Sequence, residues 1–209
     1  MGKAKARRYA MYFPDYSRTG LVYHVVSLND LAKVRLRGIR YDDKSTYQEK
    51  YREFHIFLNR FKAGRVPDWV DRTKAIFASM NFKKDHAFHS HSMLLAFRVD
   101  PERCWVANEN RANQLYEPFI LKDVEGFHGA KNYIEGRGKA LAEQYWESSL
   151  SFADNLKLRR DKEEGYDAEV MVFHEIRPED IHYIAIVSDH RMMTVEEWKR
   201  TFCGGPNNV

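Results

Sequence analysis

Strand and helix signals in this sequence do not alternate, and that irregular order restricts the fold more than any other feature. Leu21-Val-Tyr-His-Val-Val-Ser27 is β-branched and aromatic, the composition of a strand. Ser27 with Asp30 three residues on predicts a capping box, and Gly38 a C-terminal stop, so a short helix is expected from Asn29 to Arg37. A longer helix is expected from Thr46 to Phe61, because Tyr47, Tyr51, Phe54, Leu58 and Phe61 fall on one stripe, with Gly64 and Pro67 ending it. Strands are expected over Lys74 to Ser79, Ser92 to Val99 and Cys104 to Ala107, with Pro101 in the turn between the last two. Lys131 to Leu156 reads as a helical stretch broken near Gly136 and Gly138. Asp167 to His174 and Ile181 to Val187 read as a strand pair joined by Arg177-Pro-Glu-Asp180, and a last helix runs from Val195 to Thr201 with Thr194 as its N-cap. The order β-α-α-β-β-β-α-β-β-α belongs to an α+β fold, not to a doubly wound sheet. Neither G-x-G-x-x-G nor a Walker loop is present.

No repeat and no Ser/Gly/Pro-rich linker divides the 209 residues, so one domain is expected over residues 13–209, behind a basic N-terminal arm, residues 1–12. Lys3, Lys5, Arg7 and Arg8 in that arm carry the whole formal excess of 34 basic over 30 acidic residues. Such an arm suits contact with nucleic acid and equally a solvated terminus. The apolar run Met93-Leu-Leu-Ala-Phe97 is far short of the ~18 residues of a membrane span. Tyr9-Ala-Met-Tyr-Phe-Pro14 is too short for a signal-peptide core, and Ala6 breaks a myristoylation motif at Gly2. Cys104 and Cys203 make neither a disulfide framework nor a four-thiolate zinc site. A cytoplasmic protein without membrane contact is the expectation.

Two groups of residues have the chemistry for a site. Asp85-His-Ala-Phe-His-Ser-His91 brings His86, His89 and His91 together as possible metal ligands, but no H-E-x-x-H or C-x-x-C supports them, and a solvated loop explains them as well. The second group spans the chain: His24 within a strand, Arg72 leading into an apolar strand that ends at Ser79, Tyr145-Trp146, the charged stretch Lys157-Leu-Arg-Arg-Asp-Lys-Glu-Glu164, and Glu169 opening an apolar strand. A carboxylate is unfavourable in a core, so Glu169 is expected at a strand end or in a cleft. Taken singly, each has a plain structural reading: His24 as a core histidine, Glu169 as a strand-edge residue, Arg72 as a solvated loop cation.

Taken in order, these segments resemble the ADP-ribosyltransferase fold, in its DarT-type branch of DNA-modifying toxins. His24, Leu31 and Gly38 match the family's opening pattern Y-H-x-T-x-x-x-N-L…G, while Val26 and Asp30 depart from it. Ala168-Glu-Val-Met-Val172, after a Tyr-Trp pair and a basic loop, matches its ending. The resemblance covers residues 20–40, 66–80 and 145–187. It implies a split mixed or antiparallel sheet with flanking helices, NAD as substrate, and Glu169 as the catalytic carboxylate. It also implies NAD contacts from His24, Arg60 or Arg72, and Ser79. Lys157, Arg159 and Arg160 would bind the phosphates of a nucleic-acid acceptor, by resemblance single-stranded DNA, with Tyr145 or Trp146 stacking a base. A macrodomain antitoxin partner follows from the same resemblance. On this reading Glu169→Ala should leave folding nearly intact. Two alternatives stand beside it: a non-enzymatic nucleic-acid-binding module that uses the arm and the aromatics, and a metal-dependent hydrolase built on His86, His89 and His91.

Overall fold

The computed structural model describes residues 13–43, 45–82, 88–188 and 191–203, the side chains of residues 43 to 50 excepted. The basic arm and His86 lie outside the described residues. The fold is α+β with antiparallel strand pairing, as the order of elements predicts. The sequence gives no sign of the way contacts divide it: one unit gathers the chain up to Ile39, Ala78–Val99 and the chain from Glu175, and the other gathers Arg40–Phe77 and Asp100–His174.

The first unit is built on β1 (Leu21–Ser27), which lies between the end of β2 (Ile76–Ser79) and β3 (Ser92–Arg98); β7 (His182–Ser188) and β8 (Arg191–Met193) follow on the far side of β3. β1 and β3 pair without a slip from Leu21 opposite Arg98 to Ser27 opposite Ser92. Apart from Arg98, β3 is buried along its whole length, so both of its faces are covered. Tyr23, Leu94, Ala96, Ala185 and Val187 alternate onto one of them and meet Phe13. The Ser27 hydroxyl accepts from the Asn29 amide and caps a 3-10 turn, so the helix proper, α2 (Leu31–Arg37), begins two residues later than expected. A short helix, α1 (Tyr16–Thr19), precedes β1. Gly38 ends α2 at φ +79°, and a Cβ there would lie 1.9 Å from the Ile176 carbonyl oxygen. Only glycine lets this turn approach the Ile39–Ile176 bridge so closely. The final helix, α8 (Val195–Phe202), has the reciprocal Thr194–Glu197 capping box.

In the second unit β5 (Leu150–Ser151), β4 (Cys104–Asn108), β6 (Ala168–Val172) and the start of β2 follow one another in the sheet, with β4 between β5 and β6. Its helices are α3 (Ser45–Asn59), α4 (Glu109–Leu121), α5 (His128–Tyr133), α6 (Lys139–Glu147) and α7 (Phe152–Leu158). Phe54, Leu58, Leu115, Tyr145, Trp146 and Met171 are the centre of its core. The Trp146 indole donates to the Leu58 carbonyl at 2.7 Å, which ties α6 to α3.

Three expectations need correction. The strands read as a pair do not pair: β6 lies against β4 and β7 against β3, and the segment between them is occupied by the Ile39–Ile176 bridge and a 3-10 turn. Lys131 to Leu156 is not one broken helix but α5, a π-helical turn over Ile134–Gly138, α6, β5 and the start of α7. The strand expected from Lys74 begins at Ile76, after a 3-10 turn over Arg72–Lys74.

Candidate functional site

The second unit buries a full ion pair, and that pair is the centre of the candidate site. Asp71 caps the 3-10 turn that carries Arg72: its carboxylate accepts from the Thr73 amide at 2.9 Å, the Thr73 hydroxyl at 2.7 Å and the Asn59 amide group at 2.7 Å. The Asn59 side-chain oxygen in turn accepts from the Arg72 backbone N–H at 3.3 Å. The end of α3 thus fixes the backbone from which Arg72 enters the core. Glu169 is the second residue of β6, paired with Ala107 of β4.

The two side chains retain 4% and 8% of their exposure, and Arg72 Nη1 lies 2.5 Å from Glu169 Oε1. Arg72 Nη1 also donates to the Tyr145 hydroxyl, which itself donates to Glu169 Oε1 at 2.6 Å. Arg72 Nε donates to His55 Nδ1 at 3.3 Å. The guanidinium carbon is 4.7 Å from the Phe77 ring centre and 4.9 Å from that of Tyr145, and His55 stacks on Phe77 at 5.1 Å with 18° between planes. Desolvating two ions costs several kcal/mol each, and only a geometry as complete as this one offsets that cost. Glu169 Oε1 is doubly occupied. Oε2 has one 3.5 Å contact, from Arg72 Nη2, and so keeps acceptor capacity among the described residues.

The surroundings fix the protonation of the partners. Burial, with Arg72 beside it, lowers the His55 pKa to about 3, so the ring is neutral and carries its proton on Nε2. Burial likewise holds the Tyr145 phenol well above its ordinary pKa, Glu169 pushing the same way, so the hydroxyl remains a donor. A narrow recess of about 40 Å³ is lined by Tyr41, Arg52, His55, Arg72, Thr73, Ala75 and Phe77. Arg72 therefore lines an opening on one side and grips Glu169 on the other.

His24 and Ser79 belong to the first unit: His24 is buried on β1, its ring 6.2 Å from that of Phe97, and Ser79 is half-buried opposite Tyr23. Arg60 lines a separate and larger groove of about 530 Å³, with Ile56, Phe57, Phe119 and Ile134 among its apolar lining residues. Arg72 is not a solvated cation, and its guanidinium is occupied by Glu169, Tyr145 and His55. Tyr145 and Trp146 are fully buried, so neither can stack a base. Lys157 is exposed, 3.4 Å from Asp154. Arg159 bends back at φ +55° to grip both oxygens of the buried Asp161, at 2.9 and 2.8 Å, and Arg160 donates to the Ser148 carbonyl at 3.3 Å. Of the three cations expected on phosphates, Arg159 thus holds its own loop together and Arg160 ties that loop to Ser148.

His89 and His91 are exposed, and the described residues contain no group of three His, Cys, Asp or Glu that could hold a metal. No described helix is long and apolar enough to cross a membrane. Comparison with protein-family models, with curated proteins and with solved structures gives no match. The site must be interpreted from its own chemistry.

Proposed function

We propose that this chain is an NAD-dependent ADP-ribosyltransferase with Glu169 as its catalytic carboxylate. One observation carries the proposal: at the head of an otherwise apolar strand, a glutamate is paired with Arg72 and oriented by Tyr145, with its second oxygen still able to accept a hydrogen bond. Core packing does not require such a group, since apolar residues of similar volume in place of a buried ion pair are often neutral or stabilising. Sequence resemblance to the transferase family gives the cluster a reaction.

Cleavage of the bond between nicotinamide and ribose takes the bonding electrons onto nicotinamide and leaves positive charge at the ribose carbon, as in glycoside cleavage. Glu169 Oε2 suits a ribose hydroxyl, and the carboxylate then stabilises the developing charge. Arg72 and Tyr145 together hold the carboxylate in one orientation. Where the acceptor must lose a proton, the same oxygen can take it.

For the acceptor we propose a base in single-stranded DNA, on the family resemblance alone. Of Lys157, Arg159 and Arg160, Lys157 is the one most open to a phosphate, since an exposed pair such as Lys157–Asp154 is worth about 1 kcal/mol or less. Incubation with labelled NAD and separate pools of DNA, RNA and protein tests both levels. Label in DNA supports the full reading, and label only in protein leaves the transferase with a different acceptor. Absence of both labelling and nicotinamide release in every pool would falsify the transferase.

A further inference from the structure

The Arg72–Glu169 pair leaves a question that the proposed reaction makes specific: a dinucleotide brings two phosphate charges, and Arg72 is already spent on a carboxylate. The residues lining the recess answer it. Arg72 is neutralised by Glu169, and His55 is neutral, so neither contributes net charge. Thr73, Ala75, Phe77 and Tyr41 carry none. Asp71, just behind the recess, is taken up by Asn59, Thr73 and Lys74.

Arg52 remains. It is exposed, it lines the recess, and its guanidinium has no hydrogen bond or ion pair among the described residues. It sits one helical turn before His55 on α3, and residues three apart on a helix share a face. Arg60 lies toward the other groove with Glu53, Ile56 and Phe57. Among the described residues the lining of the recess therefore has one uncompensated charge, a positive one, and it includes the rings of Phe77 and the half-exposed Tyr41.

We propose that Arg52 makes the mouth of this recess a phosphate subsite that takes the diphosphate of a nucleotide. The inference rests on the NAD reading for the identity of the full ligand, but not for the subsite itself. An arginine fork suits two phosphate oxygens, and a guanidinium with no partner among the described residues gives up none of them when it binds those oxygens. A recess of this size admits only the edge of a ligand, so the phosphates stay at the mouth beside Arg52 and outside the ion pair.

Calorimetric titration of the full chain with ADP, adenosine and inorganic phosphate tests the subsite without any need for turnover. ADP should bind more tightly than adenosine or phosphate alone, and its affinity should fall with salt. Arg52→Gln, a surface change that leaves the melting temperature in place, should weaken ADP at least about tenfold while leaving adenosine unaffected. The subsite is overturned if the wild-type chain does not bind ADP, if Arg52→Gln binds it as well as wild type, or if Arg60→Gln is the substitution that weakens it. If ADP binds through Arg52 while labelled NAD is never cleaved, the transferase fails and the subsite stands. If NAD is turned over and Arg52→Gln leaves its KM unchanged, the subsite fails and the transferase stands.

Discussion

Removing the carboxylate of Glu169 would strand a guanidinium in the core. The sequence alone predicts a Glu169→Ala protein that folds almost normally, but the geometry predicts otherwise. An uncompensated buried partner costs about 3–5 kcal/mol, so Glu169→Ala should lower the urea midpoint sharply as well as reducing transfer by about 100-fold or more. Replacing both charges, as in Arg72→Met with Glu169→Leu, should recover most of the stability and none of the transfer. Full stability in Glu169→Ala would mean that the pair is not buried as described. Tyr145→Phe offers a finer test: the ring and its packing stay, while one donor to Oε1 is lost. Transfer should fall mainly through kcat, because the hydroxyl orients a catalytic oxygen and does not touch NAD. At this scale Glu169 was legible in the sequence as a charge out of place on an apolar strand. Its partner was not, because Arg72 is 97 residues away and no local pattern connects them. His55 and Arg52 left no signal either: a histidine and an arginine within a helix look like ordinary helix residues until the neighbours are known.

Helix caps and strand composition are local signals, and the elements they define were legible: β1, β3, β4, β6, the end of α2 and the Thr194 cap. Pairing is not local, and adjacency in the chain suggested a β6–β7 hairpin where each strand has another partner. α4 was missed although its signals are present: Asn108 caps it, Glu109 opens it, and Ala112, Leu115 and Phe119 line its buried stripe. Pro118 obscured them, since a proline inside a helical pattern usually ends it. β5 and β8 are only two and three residues long, too short for periodicity to register. The Gly38 turn gives this scale its own prediction. Gly38→Ala would place a Cβ against the Ile176 carbonyl at a left-handed φ, and should destabilise the chain by more than ~1 kcal/mol, readable as a lower urea midpoint. Gly64→Ala, where a Cβ meets nothing within 4 Å, is the control and should leave the midpoint nearly unchanged.

For the molecule as a whole, buried titratable groups set a pH range of stability. The folded pKa of His55, about 3, is below its unfolded value near 6.5, so between the two the unfolded chain binds a proton that the folded chain does not. Stability from this group is complete above about pH 6.5 and lost as pH falls toward 3, at up to ~1.4 kcal/mol per pH unit. Asp71, held below the ordinary carboxylate range mainly by its hydrogen bonds with Thr73 and Asn59 against the cost of its burial, adds to the same acid loss at lower pH. Burial pushes Cys104 and Tyr23 up to about 12, so the folded chain keeps protons that the unfolded chain releases, and stability also falls on the alkaline side. Urea midpoints should therefore be flat near neutrality and fall in both directions. His55→Gln should flatten the acid limb between pH 6.5 and 4, and an unchanged limb would show that the histidine is already protonated in the folded chain.

The division of the chain into interleaved segments has a consequence for its synthesis. Translation proceeds from the N-terminus, so every segment of the second unit, the last ending at His174, is made before the third segment of the first unit exists. Until β7 emerges, β3 has β1 on one side and an open row of backbone donors and acceptors on the other. That edge runs from Ser92 to Ala96, and its Met93, Leu94, Leu95 and Ala96 are all buried in the finished fold. During this interval the nascent chain presents an apolar, unpaired strand, the arrangement from which aggregation starts. A ribosome pausing between His174 and His182 would prolong the exposure, and a chaperone that binds short apolar strands would find its substrate there.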